Sequence, residues 1–483
     1  MLLKNINFLS QKCLFCYLSV ILSGCSFKPT YERPPLPTTE TYPRESSETG
    51  TNIQQLAWND YFSDPALQQL IELALENNRD LRAAIARISE TRALYGLQWA
   101  NMFPTVKGVA PSLRFRSTGD LIPSPPPPSG TSVSTPPLFF SAYIAALNVS
   151  AWELDFWGHL RNLTEASLEI YLASEEAAQA VYISLIGQVA NLYLIESELN
   201  EQVSIAKKTL ETREESFRIM RRRYEEGSSS KLDAIQAETL LLQARTDLLN
   251  YERLRELNWN AMNLLVGIPI CPHHNLLSAI EPYFIEEITP GLPSELLLNR
   301  PDIIAAEHKL LAANANIGVA RAAFFPTITL SGGYGSLSTE LKHLLGAGNK
   351  FWYYFPNISV PIFDWGRNLS DLGLAKALKN EAVIEYEHTI QVAFREVADA
   401  LTEGLWLEKQ IEVEKQTLDA QTERKRLAWI RYEYGTSPYL EYLDAERDRF
   451  AAEQALVTRR LAYLTSRVNL YIALGGGLGG YCQ

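Results

Sequence analysis

The apolar positions of this chain change period several times, and each change marks an element. Across residues 65–100, Leu67, Leu70, Ile71, Leu75, Leu81, Ile85 and Ile88 stand among good helix formers and make the stripe of an amphipathic helix. Elsewhere the period falls to two. Thr327, Thr329 and Ser331 alternate with Ile328 and Leu330, Asn148 and Ser150 with Leu147, Val149 and Ala151, and Asn357 and Ser359 with Ile358, Val360 and Ile362. This is the pattern of strands with one polar and one apolar face. Aromatic clusters, Phe139-Phe140 with Tyr143 and the run 351–355, lie near one strand end, where a membrane barrel carries its interfacial girdle. Between Trp157 and Gly227 there is no proline, and Leu199, Val203, Ala206, Leu210, Phe217, Met220 and Tyr224 follow steps of four and three, with only Arg213 interrupting. That is a coiled-coil seam. A helix of this length extends about 100 Å at 1.5 Å per residue, far more than a single globular domain needs.

The pattern occurs twice. Phe103-Pro104-Thr105-Val106 returns 222 residues later as Phe325-Pro326-Thr327-Ile328. Trp157-Gly158 returns at an offset of 208 as Trp365-Gly366, and so do the Arg223-Tyr224 to Ser228 stretch, as Arg431-Tyr432 to Thr436, and Gly267, as Gly475. The smaller second offset places a longer insert in the first half, at residues 122–137, whose run Pro125 to Pro128 excludes strand and helix. Each half reads as helix, two strands, then two helices. The domain reading is 58–270 for the first repeat, 271–290 for a linker, 291–475 for the second repeat and 476–483 for a glycine-rich tail.

The first residues read differently. Lys4 and Lys12, an apolar run at residues 14–22 too short to span a bilayer, and Leu22-Ser23-Gly24-Cys25 look like a bacterial lipoprotein signal over residues 1–24. In that resemblance cleavage precedes Cys25, which becomes the acylated mature terminus, and Ser26 in place of an aspartate fits export to the outer membrane. Residues 26–57, rich in Pro, Thr, Ser and Glu, read as an extended tether, so that the lipidated segment is 25–57. The net charge of −12 becomes −14 once Lys4 and Lys12 leave, which argues against nucleic acid as a partner. Only Cys271 and Cys482 then remain, and they either pair or stay free. No phosphate-binding glycine loop and no metal-spaced Cys/His group is read, and His273-His274 reads as an exposed loop pair.

Four membrane-type strands cannot close a channel, since the smallest outer-membrane barrels need about eight, and unpaired edges in lipid cost several kcal/mol per group. Several copies must therefore share one barrel. Gly227 and Gly435 read as left-handed caps ending long helices, Ser230 and Ser437 as caps of the next helices, and Pro438 as a first helical residue. Ser230 with Asp233 fits a capping box, and Pro301 suits a first helical turn.

Together these features resemble the TolC-like outer-membrane factors, in particular the lipidated OprM-type branch of tripartite RND efflux systems. The resemblance is carried by Leu292-Pro293-Ser294, Asn299-Arg300-Pro301-Asp302-Ile303, Ala305-Ala306-Glu307, the stretch Ala312 to Pro326, Phe363-Asp364-Trp365-Gly366, and Leu443-Asp444-Ala445. Trp58, Phe62, Asp64-Pro65, Leu67, Asn78 and Asp80-Leu81 match the family's opening. It implies a mostly helical fold with membrane β-structure, built as a homotrimer whose four strands per chain make a twelve-stranded barrel continued by a coiled-coil tunnel. It implies an exit duct fed by a periplasmic adaptor and an inner-membrane RND-type pump, with no catalysis and no cofactor. The hairpin turns at Gly227, Ser228, Gly435 and Thr436 correspond to adaptor-contacting tips. Asp444 and Glu441, three apart on one helix face, correspond to a gate ring, with Asp233 a weaker counterpart and Tyr432 and Tyr224 candidate latches. A type I protein-secretion duct and a non-conducting envelope lipoprotein are the alternatives; a metal-ion duct has little support from four scattered methionines. The Leu22-Ser23-Gly24-Cys25 motif generates one direct expectation: mass spectrometry of the N-terminal peptide from membranes finds lipid mass on Cys25, and an intact Met1 terminus overturns it.

Overall fold

A computed structural model of the chain describes residues 26–39, 42, 51–52, 57–117, 138–270, 288–289 and 300–476. Cys25 and the signal, the insert at 122–137, Cys271, Cys482 and His273-His274 lie outside the described residues. The elements are β1 (Thr51–Asn52), α1 (Trp58–Tyr61), α2 (Pro65–Asn77), α3 (Arg79–Ala100), β2 (Val106–Val109), β3 (Ser112–Ser117), β4 (Leu138–Glu153), α4 (His159–Glu225) and α5 (Lys231–Val266). The chain continues through β5 (Ile288–Thr289), α6 (Pro301–Ala322), β6 (Thr327–Ser338), β7 (Lys350–Ser359), α7 (Arg367–Glu433) and α8 (Tyr439–Ala473). α3 and α6 start and end 222 residues apart, and α4 and α7, both of 67 residues, start and end 208 apart. The two repeats are thus the same structure made twice. Two compact units are present, one comprising described parts of Met1–Glu32, Thr91–Tyr171 and Lys309–Ala382, the other the remainder.

The first unit holds the sheet. β4 pairs antiparallel with β6, β6 with β7, and both β2 and β3 lie along β4. β2 and β3 keep one register, from Val109 opposite Ala146 to Ser112 opposite Tyr143, and are halves of one strand interrupted at Ala110-Pro111, where proline lacks an N–H for the ladder. The sheet is therefore four strands wide, with β2/β3 and β7 at its edges. A bulge in β4 between Val149 and Trp152 puts Ala151 at φ 51°, and its N–H donates to Ser331 Oγ at 3.0 Å. β6 is crowded: a Cβ on Gly335 would lie 2.4 Å from the Ala145 carbonyl oxygen, so only glycine fits.

Residues 26–32 are without helix or strand and are docked on the rest of the unit. Phe27 stacks on Phe325 with centroids 4.5 Å apart, Arg321 Nη1 donates to the Phe27 carbonyl at 3.0 Å, and Ser26 Oγ donates to Asn162 Oδ1 at 2.9 Å.

In the second unit the single helix expected over residues 65–100 is two helices. Asn78 breaks it: its Nδ2 donates to the Leu265 carbonyl at 2.7 Å and its Oδ1 accepts the Leu81 N–H at 2.8 Å, capping α3. Gly267, at φ 81°, closes α5 so near that a Cβ would sit 2.5 Å from the Asn77 carbonyl oxygen. The second repeat uses Arg300 at the same place. Its guanidinium forks onto Asp302 at 3.0 and 2.6 Å and donates to Glu396 at 2.8 Å and to the Ala473 carbonyl at 3.0 Å. Pro301 opens α6, as its fixed φ predicts. Arg300→Ala strands the Ala473 carbonyl and leaves Asp302 and Glu396 without their cation, so thermal unfolding of the detergent-purified protein should show a loss of about 2 kcal/mol, against little change for the exposed Arg367→Ala.

Candidate functional site

The two hairpin tips repeat the same turn hydrogen bonds. At the first, the Gly227 N–H donates to the Tyr224 carbonyl at 3.0 Å, while the N–H and hydroxyl of Ser228 both donate to the Arg223 carbonyl at 2.8 and 3.1 Å. At the second, Gly435 donates to Tyr432 at 2.9 Å, and the N–H and hydroxyl of Thr436 both donate to the Arg431 carbonyl at 2.9 Å. Both glycines are left-handed, at φ 76° and 70°, which turns the chain and satisfies carbonyls that the helix end leaves open.

The turns differ in how they start the next helix. Ser230 caps α5 with a full capping box, its hydroxyl accepting the Asp233 N–H at 3.1 Å while Asp233 Oδ2 accepts the Ser230 N–H at 3.2 Å. The Ser229 and Ser230 hydroxyls also donate to that carboxylate, and hydrogen bonding, that of Ser230 foremost, holds its pKa below the usual aspartate value. Asp233 thus spends its oxygens on the helix start. At the second tip the sequence expectation needs correcting. Pro438, extended at ψ 156°, is the cap residue rather than the first helical residue, and the Ser437 hydroxyl is buried without a partner instead of capping α8.

Of the predicted acids, Glu441 Oε1 accepts from Arg431 Nη1 at 2.6 Å, and Asp444 Oδ1 pairs with Arg447 Nη1 at 3.2 Å. Both remain partly exposed. The Tyr432 hydroxyl accepts from Arg223 Nη1, and the same guanidinium lies 5.4 Å from the Tyr432 ring centroid, joining the first hairpin to the second. Tyr224 is exposed at the end of the seam. Arg223 and Arg431 were missed from sequence, although they stand at equivalent places immediately before the two tyrosines.

Behind the tip lies an apolar core of Met220, Ala237, Ala428, Tyr439, Tyr442 and Leu443. A charge cluster is built into it. Arg213, the one residue that interrupts the heptad series, is 3% exposed and pairs with the 5% exposed Glu446 at 2.9 Å. Glu446 also pairs with Lys425 Nζ at 2.9 Å and accepts from the Tyr442 hydroxyl at 3.2 Å. Burial, then the charge of Glu446, pushes the Tyr442 pKa up and keeps it a neutral donor. One carboxylate on α8 therefore binds a cation from α4 and another from α7. Removing it leaves Arg213 buried and unpaired, so Glu446→Ala should lower stability in thermal unfolding by about 3–5 kcal/mol, with Glu446→Gln intermediate and Arg218→Ala, exposed on α4, nearly neutral.

Comparison with known proteins fits this arrangement. The family model described as "Outer membrane efflux protein" matches residues 70–268 and 292–476. The chain is 41% identical over 462 residues to the probable efflux pump outer membrane protein TtgC of Pseudomonas putida, covering 95% of this chain and 93% of that one. It is 38% identical over 468 residues to outer membrane protein OprJ of Pseudomonas aeruginosa, covering 95% and 94%. Among solved structures, the open state of the Neisseria gonorrhoeae MtrE outer membrane channel superposes with a TM-score of 0.84 at 36% identity over 94% of this chain and 99% of that one. With the repeated strand-and-long-helix architecture, these place the chain in the outer membrane, with the TolC-like channel fold: it belongs to the outer membrane efflux protein family.

Proposed function

We propose that three copies of this chain make one exit duct, each giving four strands to a twelve-stranded barrel and four long helices to a periplasmic tunnel. The observation that carries this is the sheet itself: it is four strands wide and ends on two edges, β2/β3 and β7, that no strand of the sheet covers. In hydrocarbon such edges must be paired, and three sheets give a closed even-numbered barrel. Residues 58–270 and 291–475 act as the two repeats of each protomer, and acyl chains on Cys25 hold the terminus in the membrane. A periplasmic adaptor grips the tips around Gly227, Ser228, Gly435 and Thr436, and an inner-membrane RND-type pump loads the tunnel. The cargo is small molecules of the kind named for relatives, antibiotics and toluene. The duct itself does no chemistry on them.

Asp444 and Glu441 form the gate ring at the narrow end, with Tyr432 and Arg223 as a latch beside it; Tyr224 and Asp233 contribute less. Confined carboxylates of one sign favour cations, and salt weakens the preference. Because each acid is paired with an arginine, removing Glu441 also leaves Arg431 uncompensated, while Arg447 keeps its pairing with Asp448 when Asp444 is removed. In planar bilayers the Glu441→Ala/Asp444→Ala double variant should conduct more and lose cation preference, with a larger effect at low salt, while Asp233→Ala changes little. Unchanged conductance and selectivity in the double variant would place the gate elsewhere, and no current from the wild type would remove the duct.

A further inference from the structure

The internal repeat supplies a template for the contact between copies. Within one chain, the first repeat presents Trp157 to the second repeat: its ring stacks on Phe325 at 5.0 Å and its Nε1–H donates to the Pro326 carbonyl at 2.8 Å. Beside them α6 lies against α4, with Ala312 and Ala315 on Ala166, and Gly318 is tight against Asn162, whose Nδ2 would stand 2.4 Å from an added Cβ. Each of these residues has a counterpart at the repeat offsets, and the counterparts are bare. Trp365, the partner of Trp157, is 90% exposed, and Phe103, the partner of Phe325, is 51% exposed. Gly96, the partner of Gly318, has nothing within 4 Å of an added Cβ. Leu374, the partner of Ala166, is exposed as well. One half of a chain is a plug, the other half a socket, and only one of the two joints is made inside the chain.

We infer that the second joint is made between neighbouring copies: Trp365 of one chain seats on Phe103 and donates to the Pro104 carbonyl of the next, with Gly96 of that next chain against Ser370. This rests on the trimeric reading above and adds to it which residues meet and in what register. The strand register follows by the same rule. Asn148-Val149-Ser150 corresponds to Asn357-Ile358-Ser359, with the bulge residue Ala151 absent from β7, and this mapping carries the β2 pairing of Val106 with Val149 onto the observed pairing of Ile328 with Ile358. Carrying the β4 to β6 register, in which Val149 faces Gly332 and Ala145 faces Ser336, onto the open edges sets Ile358 opposite Ala110 and Tyr354 opposite Arg114 of the neighbouring copy. The joint between copies differs from the internal one in one respect. Arg321, which holds the Phe27 strap, corresponds to Trp99, which packs on Phe103 with centroids 4.7 Å apart. An indole therefore fills the place that the single strap of each chain cannot fill twice.

The test is disulfide trapping in the full chain with Cys271 and Cys482 replaced by serine. Gly96→Cys with Ser370→Cys should, on mild oxidation in membranes, convert the protein into reducible covalent dimers and trimers on denaturing gels, and neither single variant should pass the dimer. Gly96→Cys with Lys379→Cys, about two and a half helical turns further along α7, should give at least tenfold less. The mass of the unoxidised protein in detergent, by light scattering, is read alongside. A trimeric mass with no trapping at 96/370, or with equal trapping at 96/379, overturns the seam and leaves the trimer standing. A monomeric mass overturns the trimeric reading itself. Gly96→Trp gives a second reading: with the fold intact by circular dichroism, it should abolish the trimeric mass, whereas Gly348→Trp, a loop glycine equally open in the chain, should not, and a Gly96→Trp trimer would overturn the seam.

Discussion

A peptide group buried in hydrocarbon must find its hydrogen-bond partner in protein, and almost everything about this chain follows from how that demand is met. The four-strand sheet satisfies its inner ladders and leaves two edges. A soluble protein could blunt such edges with charge or proline; a membrane strand cannot, because no water is available to take the unpaired groups. The unit of function is therefore larger than the unit of sequence. Close pairing also explains Gly335 of β6, whose missing side chain lets the strand lie against the backbone of β4.

Long helices meet the opposite problem. A seam of apolar residues holds two helices together but tolerates slippage by a heptad, since one layer of leucine and alanine resembles the next. The cluster of Arg213, Glu446, Lys425 and Tyr442 removes that degeneracy close to the tip, where a misplaced turn would displace Glu441 and Asp444 together. A buried charge contributes little net stability when paired and is costly when unpaired, so its effect is to select one register. The surface pairs nearby, such as Arg431 with Glu441, are partly exposed and weak enough to break and reform.

Duplication gives the chain two copies of one order of elements. Its two repeats share the length of their longest helices and the hydrogen bonds of their tips, yet they have diverged at equivalent positions. Asn78 and Arg300 occupy one position and reach equivalent carbonyls, Leu265 and Ala473, with an amide in one case and an ion-paired guanidinium in the other. Asp233 closes a capping box, while the other tip begins its helix on a proline with no side-chain cap. The second tip is thereby the less firmly fastened of the two.

Element type, repeat and membrane destination were legible in the sequence because they depend on periods and composition: alternation at Thr327 to Ser331, the heptads from Leu199 to Tyr224, and the twin tip motifs ending in Ser228 and Thr436 each specify a local conformation. The break at Asn78 was not legible, because that residue caps a helix only when the Leu265 carbonyl is brought to it from 187 residues away. Nor was the partner of Arg213. The seam marked Arg213 as an interruption, but its burial and its pairing with Glu446 depend on a helix whose facing residue is set by the packing of the hairpins rather than by any spacing along the chain. Arg223 at Tyr432 and Arg431 at Glu441 belong to the same class. Sequence determined what each segment would become, since that is decided within a few residues; which side chains would meet was decided only by the tertiary structure, since contact between distant residues is a property of the folded backbone and not of the order in which they are joined.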